Sequence, residues 1–241
     1  MYRRDAPYIA EQLAYLKAHR DWASRWRSVL RESVVGDPRP FVDYRRSSGN
    51  LIYQAYNVCL FEDVTGVRLS SFDFIFEFGG GYGAFCRLLC ELGFRGTFAI
   101  FDLPEFGALQ RLYLRSHGLP VVSRPAAKVN GLEIVTLSTL DELDALLGPR
   151  PPERAAFVAL WSLSETPLPL REAVLARLTR FDAFAVGYQA HFHGIDNVEW
   201  FGAARGRLGR DVDWYDQPLP QSTSDVRHLF GARQPRTGKP R

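Results

Sequence analysis

Apolar residues change their spacing along the chain, and each change predicts an element. Between residues 8 and 32 there is no Gly or Pro, and Ile9, Leu13, Leu16, Trp22, Trp26, Val29 and Leu30 recur at steps of three and four. This predicts one long or two short amphipathic helices. Gly36-Asp37-Pro38 breaks the pattern, and residues 50 to 62 resume it with Leu51, Tyr53, Tyr56 and Leu60. Phe72 to Phe78 is a short apolar run of aromatic and β-branched character that ends at a glycine cluster, as in a strand buried on both faces. Ala84 to Leu92 returns to helical spacing and stops at Gly93. A second strand, Thr97 to Phe101, ends on Asp102, and a helix from Pro104 to His117 stops at Gly118.

The alternation continues. Leu119–Ser123 and Glu133–Leu137 both qualify as the third core strand, and Ser138 to Leu147 reads as a helix capped by Ser138 or Thr139. Ala155 to Trp161 is a buried-type strand, Leu168 to Leu178 a helix, and Phe181 to Tyr188 a further strand. Val212–Tyr215 and Val226–Phe230 are candidates for an antiparallel C-terminal pair. The expected fold is α/β: a Rossmann-like, doubly wound, mostly parallel sheet with that antiparallel strand pair and an N-terminal helical extension. The expected organisation is residues 1–70 as a lid or dimerisation element, 71–232 as the nucleotide-binding domain, and 233–241 as a basic, disordered tail.

Composition narrows the class without naming it. A chain of 241 residues, 46% hydrophobic and 24% charged, suits one ordinary α/β domain with an addition. The net charge of +3 is small and partly carried by the C-terminal RQPRTGKPR, so it gives no argument for nucleic acid. Three cysteines without a C-x-x-C motif exclude a disulfide framework and a structural zinc, and Cys86 and Cys90 read as helix packing. No apolar run has the length of a bilayer span, and MYRRDAPYIAEQ lacks the apolar core of a signal peptide. A reducing, cytoplasmic setting without membrane contact is expected.

The chemistry lies in the β-loop-α-β stretch. Glycines let a ligand approach the backbone, a helix N-terminus offers free N–H groups, and Asp102, about 20 residues on, can hold two ribose hydroxyls. The ligand therefore contains ribose. Gly79-x-Gly81-x-x-Ala84 satisfies the dinucleotide pattern, while Glu77-x-Gly79-x-Gly81-x-Gly83 satisfies that of S-adenosylmethionine-dependent methyltransferases. Glu77 favours the methyl donor: a carboxylate inside an apolar strand needs a cation such as the donor's amino group, and would repel a pyrophosphate. The structural alternative is a pair with a local Arg or with backbone N–H groups.

FEFGGGYGAFCRLLCELGFRGTFAIFDLPEFGALQRLYL, FVALWSLSETPLPLRE and YQAHFHGIDNVEWF together resemble the sugar O-methyltransferase family of class I methyltransferases, over roughly residues 44 to 230. The resemblance implies a Rossmann-like methyltransferase domain, S-adenosylmethionine as donor and a sugar-like hydroxyl acceptor. The cofactor set is then Glu77, Gly79, Gly80, Gly81, Tyr82, Gly83, Asp102, Leu103 and Ser162. Polar residues past the fourth and fifth strands supply candidates for the proton acceptor: His191 or His193 as base, with Glu165 binding the acceptor or orienting the histidine. Asp196, Asn197, Glu199 and Trp200 would line the acceptor pocket together with Tyr53, which with Tyr44, Arg45 and Asn50 is also a candidate to close over the bound ligands. Three readings compete: a divalent metal on His191, His193, Asp196 and Glu199, an NAD(P)-dependent oxidoreductase, and a non-catalytic binding module. A homodimer through the N-terminal helices is the expected assembly.

Overall fold

Phe74–Phe78 is buried at every position and forms the central strand β1. In the computed structural model, which describes residues 6–124, 127–148, 152–209, 211–219 and 226–233, it is followed by β2 (Thr97–Phe101), β3 (Val121–Val122), β4 (Glu133–Leu137), β5 (Ala155–Leu160), β6 (Ala183–Gln189), β7 (Val212–Pro218) and β8 (Val226–Arg233). Their order across one sheet is β7-β8-β6-β5-β1-β2-β4-β3. β8 runs antiparallel to both its neighbours, and every other pairing is parallel. The sheet is thus the Rossmann-like, mostly parallel one that the sequence predicts, with its antiparallel C-terminal pair.

The choice between two third strands resolves by length. Glu133–Leu137 pairs with β2 along all five residues, from Thr97↔Glu133 to Phe101↔Leu137. Val121–Val122 is a two-residue strand on the outer edge.

Seven helices of eight residues or more cover the described sheet: α1 (Ala6–Ala18), α2 (Gly49–Thr65), α3 (Ala84–Glu91), α4 (Pro104–Ser116), α5 (Leu140–Leu147), α6 (Leu168–Arg177) and α7 (Asn197–Leu208). Alternation along β1 divides them. Ile75 joins the core that α1 to α4 make with one face, while Phe74, Phe76 and Phe78 join α5 to α7 on the other. Ile9, Leu13 and Leu16 of α1 and Leu51, Ile52 and Val58 of α2 belong to the same apolar cluster as Phe85 and Leu88 of α3.

Local chemistry explains most boundaries. Ser48 caps α2 by accepting from the Leu51 N–H at 3.1 Å, and Thr139, not Ser138, caps α5 in a reciprocal box with Glu142. The N-terminal pattern resolves as α1 followed by a π-helical turn, Trp22–Trp26, that runs into Arg27–Val29. A short hairpin, Pro40–Phe41 with Tyr44–Ser48, precedes α2. Helix α7 lies where the sequence predicts only a polar loop. Gly202 and Gly206 weaken its helical signal, but Asp196 caps it and Phe201, Ala204 and Leu208 bury one face. Among the described residues no helix is long and apolar enough to cross a membrane. The predicted basic tail lies, from residue 234 on, outside the described residues.

Candidate functional site

The glycine loop after β1 is closed by its own backbone. Gly79 N–H donates to Phe101 O at 2.7 Å, tying the loop to the end of β2, and Gln110 Nε2 on α4 donates to Gly81 O at 2.9 Å. Two positions require glycine for space. A Cβ on Gly79, whose φ is +76°, would come 2.6 Å from Ser162 Oγ, and one on Gly80 would strike Ile100 and come 3.0 Å from Glu77 Oε2. Gly81 (φ +55°) and Gly83 (φ +96°) carry the turn into α3.

Glu77 lies beneath this loop, 5% exposed. Its Oε2 is buried without a hydrogen-bond partner. Burial, and to a lesser degree the negative charge of Asp102, pushes its carboxyl up to about 8. The local arginine, Arg87 on α3, is held instead by Glu32 and Glu91, at 3.2 and 2.9 Å. A buried acid without a cation is a costly arrangement. A ligand ammonium would complete it, so the residues present fit the methionine end of S-adenosylmethionine.

Asp102 at the tip of β2 is half-buried. Its Oδ1 accepts from the Leu103 N–H at 2.8 Å, and its Oδ2 accepts from the Gly81 N–H at 2.9 Å and from Gln110 Nε2 at 3.3 Å. Burial raises its pKa, opposed by the N–H groups of Leu103 and Gly81. A carboxylate offers about four lone-pair sites, so capacity remains for a hydroxyl. Leu103 beside it is 63% exposed, an apolar face open to a flat ring.

The ends of β5 and β6 form the other wall. Ser162 Oγ donates to Phe78 O in a short hydrogen bond, locking the turn after β5 against the glycine loop. Trp161 just before it holds φ +78° and ψ −40°, a region that costs a bulky residue on the order of 1–3 kcal/mol. Its ring stacks with Tyr53 of α2, centroids 6.3 Å apart. One turn earlier on α2, Asn50 Nδ2 donates to the hydroxyl of Tyr82 in the glycine loop at 2.8 Å. Asn50 and Tyr53 thus reach the loop. Tyr44 packs instead on Trp22 and under Lys17, and Arg45 is exposed.

Ser164 Oγ lies 3.2 Å from Gln189 Oε1, and Gln189 Nε2 donates to Glu165 Oε1 at 3.2 Å. Glutamine, not histidine, is the partner the structure gives Glu165. His191 and His193 occupy an exposed hairpin, His191–Phe192 with Ile195–Asp196. His193 (φ +46°) and Gly194 (φ +81°) form its tight turn, and His191 Nε2 lies 3.8 Å from Asp196 Oδ2.

The remaining acceptor-pocket candidates have structural partners. Asp196 accepts from the Glu199 N–H at 3.0 Å as the α7 cap. Asn197 is fully buried, accepting from Arg171 Nη1 at 2.6 Å and donating to Gln189 O at 2.7 Å. Arg171, also fully buried, donates in addition to the carbonyls of Ser164 and Thr166, so it clamps the turn after β5 to the start of α7. Trp200 donates to Glu172 at 2.9 Å and packs with Phe201 against the opposite core, while Glu199 is exposed on the first turn.

Among the described residues, one group of three side chains converges as metal ligands would: His19, Cys59 and Asp63. The histidine hydrogens argue against an ion there. His19 Nδ1 accepts from the Asp21 N–H at 3.0 Å and from Trp26 Nε1 at 3.2 Å, so the proton sits on Nε2, which donates to Asp63 at 3.1 Å. Tyr15 and Cys59 also donate to Asp63, making the group a strap between α1 and α2. His191, His193, Asp196 and Glu199 do not converge in this way.

Two features of the site escape sequence reading. His228 on β8 is fully buried with both ring nitrogens unpartnered, and burial lowers its pKa to about 4. A crevice of about 680 Å³ runs beside the loop, walled by Val35, Asn50, Tyr82, Leu109, Leu112 and Tyr113, and holds neither Glu77 nor Asp102.

No family model matches the chain, and no curated protein does. Solved structures do resemble it. The methyltransferase domain of bacterial CtHen1 superposes with a TM-score of 0.53 at 12% identity, covering 75% of this chain and 97% of that one. The N-terminal domain of EvdMO1 with SAH bound gives 0.51 at 15%, covering 83% and 91%. The [4+2]-cyclase SpnF gives 0.50 at 14%, covering 75% and 82%. At such identities the likeness is one of fold, and the chain has the Rossmann-like fold of these proteins.

Proposed function

We propose that the protein is an S-adenosylmethionine-dependent methyltransferase acting on a hydroxyl group of a small molecule. The observation that carries this reading is Glu77, whose buried Oε2 has no partner below a loop where side chains would collide. A nicotinamide dinucleotide would bring a pyrophosphate to the same loop, where an anion gives Glu77 no partner and keeps it as the protonated acid, whereas an ammonium pairs with its carboxylate. The fold adds weight but does not select the reaction, since a cyclase shares it.

When bound, S-adenosylmethionine supplies an electrophilic methyl group on a sulfonium. The chain's own residues do the rest. Glu77 holds the amino group, Asp102 takes the ribose hydroxyls, Leu103 offers a face to the base, and Ser162 keeps the turn after β5 against the loop. Asn50 and Tyr53 of α2 cover the donor and exclude water. The acceptor proton leaves through a group at the rim, and His191, His193 and Glu165 are the candidates it presents. The sugar character of the acceptor rests on the motif resemblance alone.

Calorimetric titration with S-adenosylhomocysteine beside NADH and NADP⁺ tests the reading. Saturable binding of the first alone supports it, and binding of a nicotinamide nucleotide overturns it.

A further inference from the structure

His228 and Glu77 share one face of the sheet. His228 pairs with Gly187 on β6, Gly187 with Leu160 on β5, and Glu77 with Val158, one pleat lower on β5. Three strand spacings, about 14 Å, and a two-residue offset along the strands, about 7 Å, put them roughly 16 Å apart. That separation matches the combined length of a methionine arm anchored at Glu77 and a small ring. At that place the sheet carries Gly187, which has no side chain. The space is filled by Leu160 and Trp161, whose Cδ2 and ring atoms come 3.6 Å from where a Gly187 Cβ would stand.

The walls of this space are aromatic. Trp161 stacks on Tyr53, His228 lies 6.3 Å from Trp161 and 6.5 Å from Tyr56 between ring centroids, and Phe230 stacks beneath at 4.9 Å. Two side chains of these walls carry buried polar atoms without a hydrogen-bond partner: the Tyr53 hydroxyl, and His228, a neutral imidazole with one donor and one acceptor nitrogen, both unpaired. Buried histidine nitrogens are ordinarily satisfied. Trp161 is also the residue held in a backbone conformation that bulky side chains avoid, and it is covalently next to Ser162, which is locked to the loop.

Resting on the methyltransferase reading, we infer that this aromatic slot is the acceptor subsite: Trp161 turns aside for a flat hydroxylated ring, and His228 hydrogen-bonds a hydroxyl of that ring. His228 is a positioning residue here, aligning the acceptor without taking its proton, since burial disfavours the imidazolium. The acceptor class is an aromatic hydroxyl compound, or a molecule presenting one.

The test uses the full chain saturated with S-adenosylhomocysteine, with catechol as the flat probe and cis-cyclohexane-1,2-diol as its saturated counterpart, followed by calorimetry. Catechol binds the wild type at least tenfold tighter than the diol. His228→Phe, which keeps the stacked ring and removes both nitrogens, lowers catechol affinity about tenfold without changing S-adenosylhomocysteine affinity or lowering the thermal midpoint, and His228→Asn recovers part of the loss. Absent catechol binding, equal binding by His228→Phe, preference for the saturated diol, or parallel loss of both ligands overturns the subsite. If S-adenosylhomocysteine fails to bind the wild type, the cofactor reading itself falls, and this inference with it.

Discussion

The Gly81 N–H donates to Asp102 Oδ2 at 2.9 Å, joining the glycine loop to the tip of the neighbouring strand. The carboxylate expected to hold ribose hydroxyls thus also fixes the loop that the donor must cross. Asp102→Ala removes both functions. S-adenosylhomocysteine affinity should fall at least tenfold, and amide exchange at Gly81 should accelerate in the ligand-free protein. Loss of affinity with unchanged exchange would separate the two roles.

Glu77 makes binding depend on pH. Its carboxyl is raised to about 8 in the free protein, and a bound ammonium would draw it down. Below about 8 binding must expel a proton, so affinity should rise with pH between 6 and 8 by up to tenfold per unit. Calorimetry in buffers of different ionisation enthalpy reads the released proton directly.

The same residue opposes folding. A folded pKa of about 8 against the ordinary glutamate value of 4.5 means that the folded state binds the extra proton, so stability is lost as pH rises from 4.5 to 8. The cost at pH 8 is roughly 3–6 kcal/mol. Glu77→Gln should raise the thermal midpoint at pH 8, leave it nearly unchanged at pH 4, and abolish binding of S-adenosylhomocysteine.

Gly79→Ala would push a methyl group into Ser162 and strain a left-handed backbone, a combined cost of about 2 kcal/mol or more. Measured against Ser162→Gly alone, which itself loses the Oγ–Phe78 hydrogen bond, the double variant should show the backbone part of the cost without the collision part. Chemical denaturation of these variants distinguishes the two parts; an undiminished cost would place the whole of it in φ.

The Asp63 strap predicts a variant without a metal phenotype. Asp63→Ala removes the acceptor shared by the hydroxyl of Tyr15 and the Nε2 proton of His19, both within reach of water, costing about 0.5–1.5 kcal/mol. Added Zn²⁺ should leave the wild-type thermal midpoint unchanged. A rise of several degrees would mean that His19, Cys59 and Asp63 bind the ion after all.

Helix and strand periodicity determined the order of the elements along the chain, because each burial pattern is local: Phe74–Phe78 is apolar but for Glu77 and Thr97–Phe101 is apolar but for Thr97, as interior strands are. Glycine spacing with Glu77 and Asp102 was legible for the same reason, since a tight turn and a buried acid announce themselves within a few residues. What the sequence could not show depends on which strands are neighbours. Strand β8 lies beside β6 although their sequence separation is long, and that pairing alone puts His228 over Gly187 and under Trp161. The same holds for Glu165, which is paired with Gln189, and for Asn197, whose amide is committed to Arg171 and to the Gln189 carbonyl. A polar residue looks alike in sequence whether it faces a ligand or a backbone carbonyl, and only tertiary packing decides which.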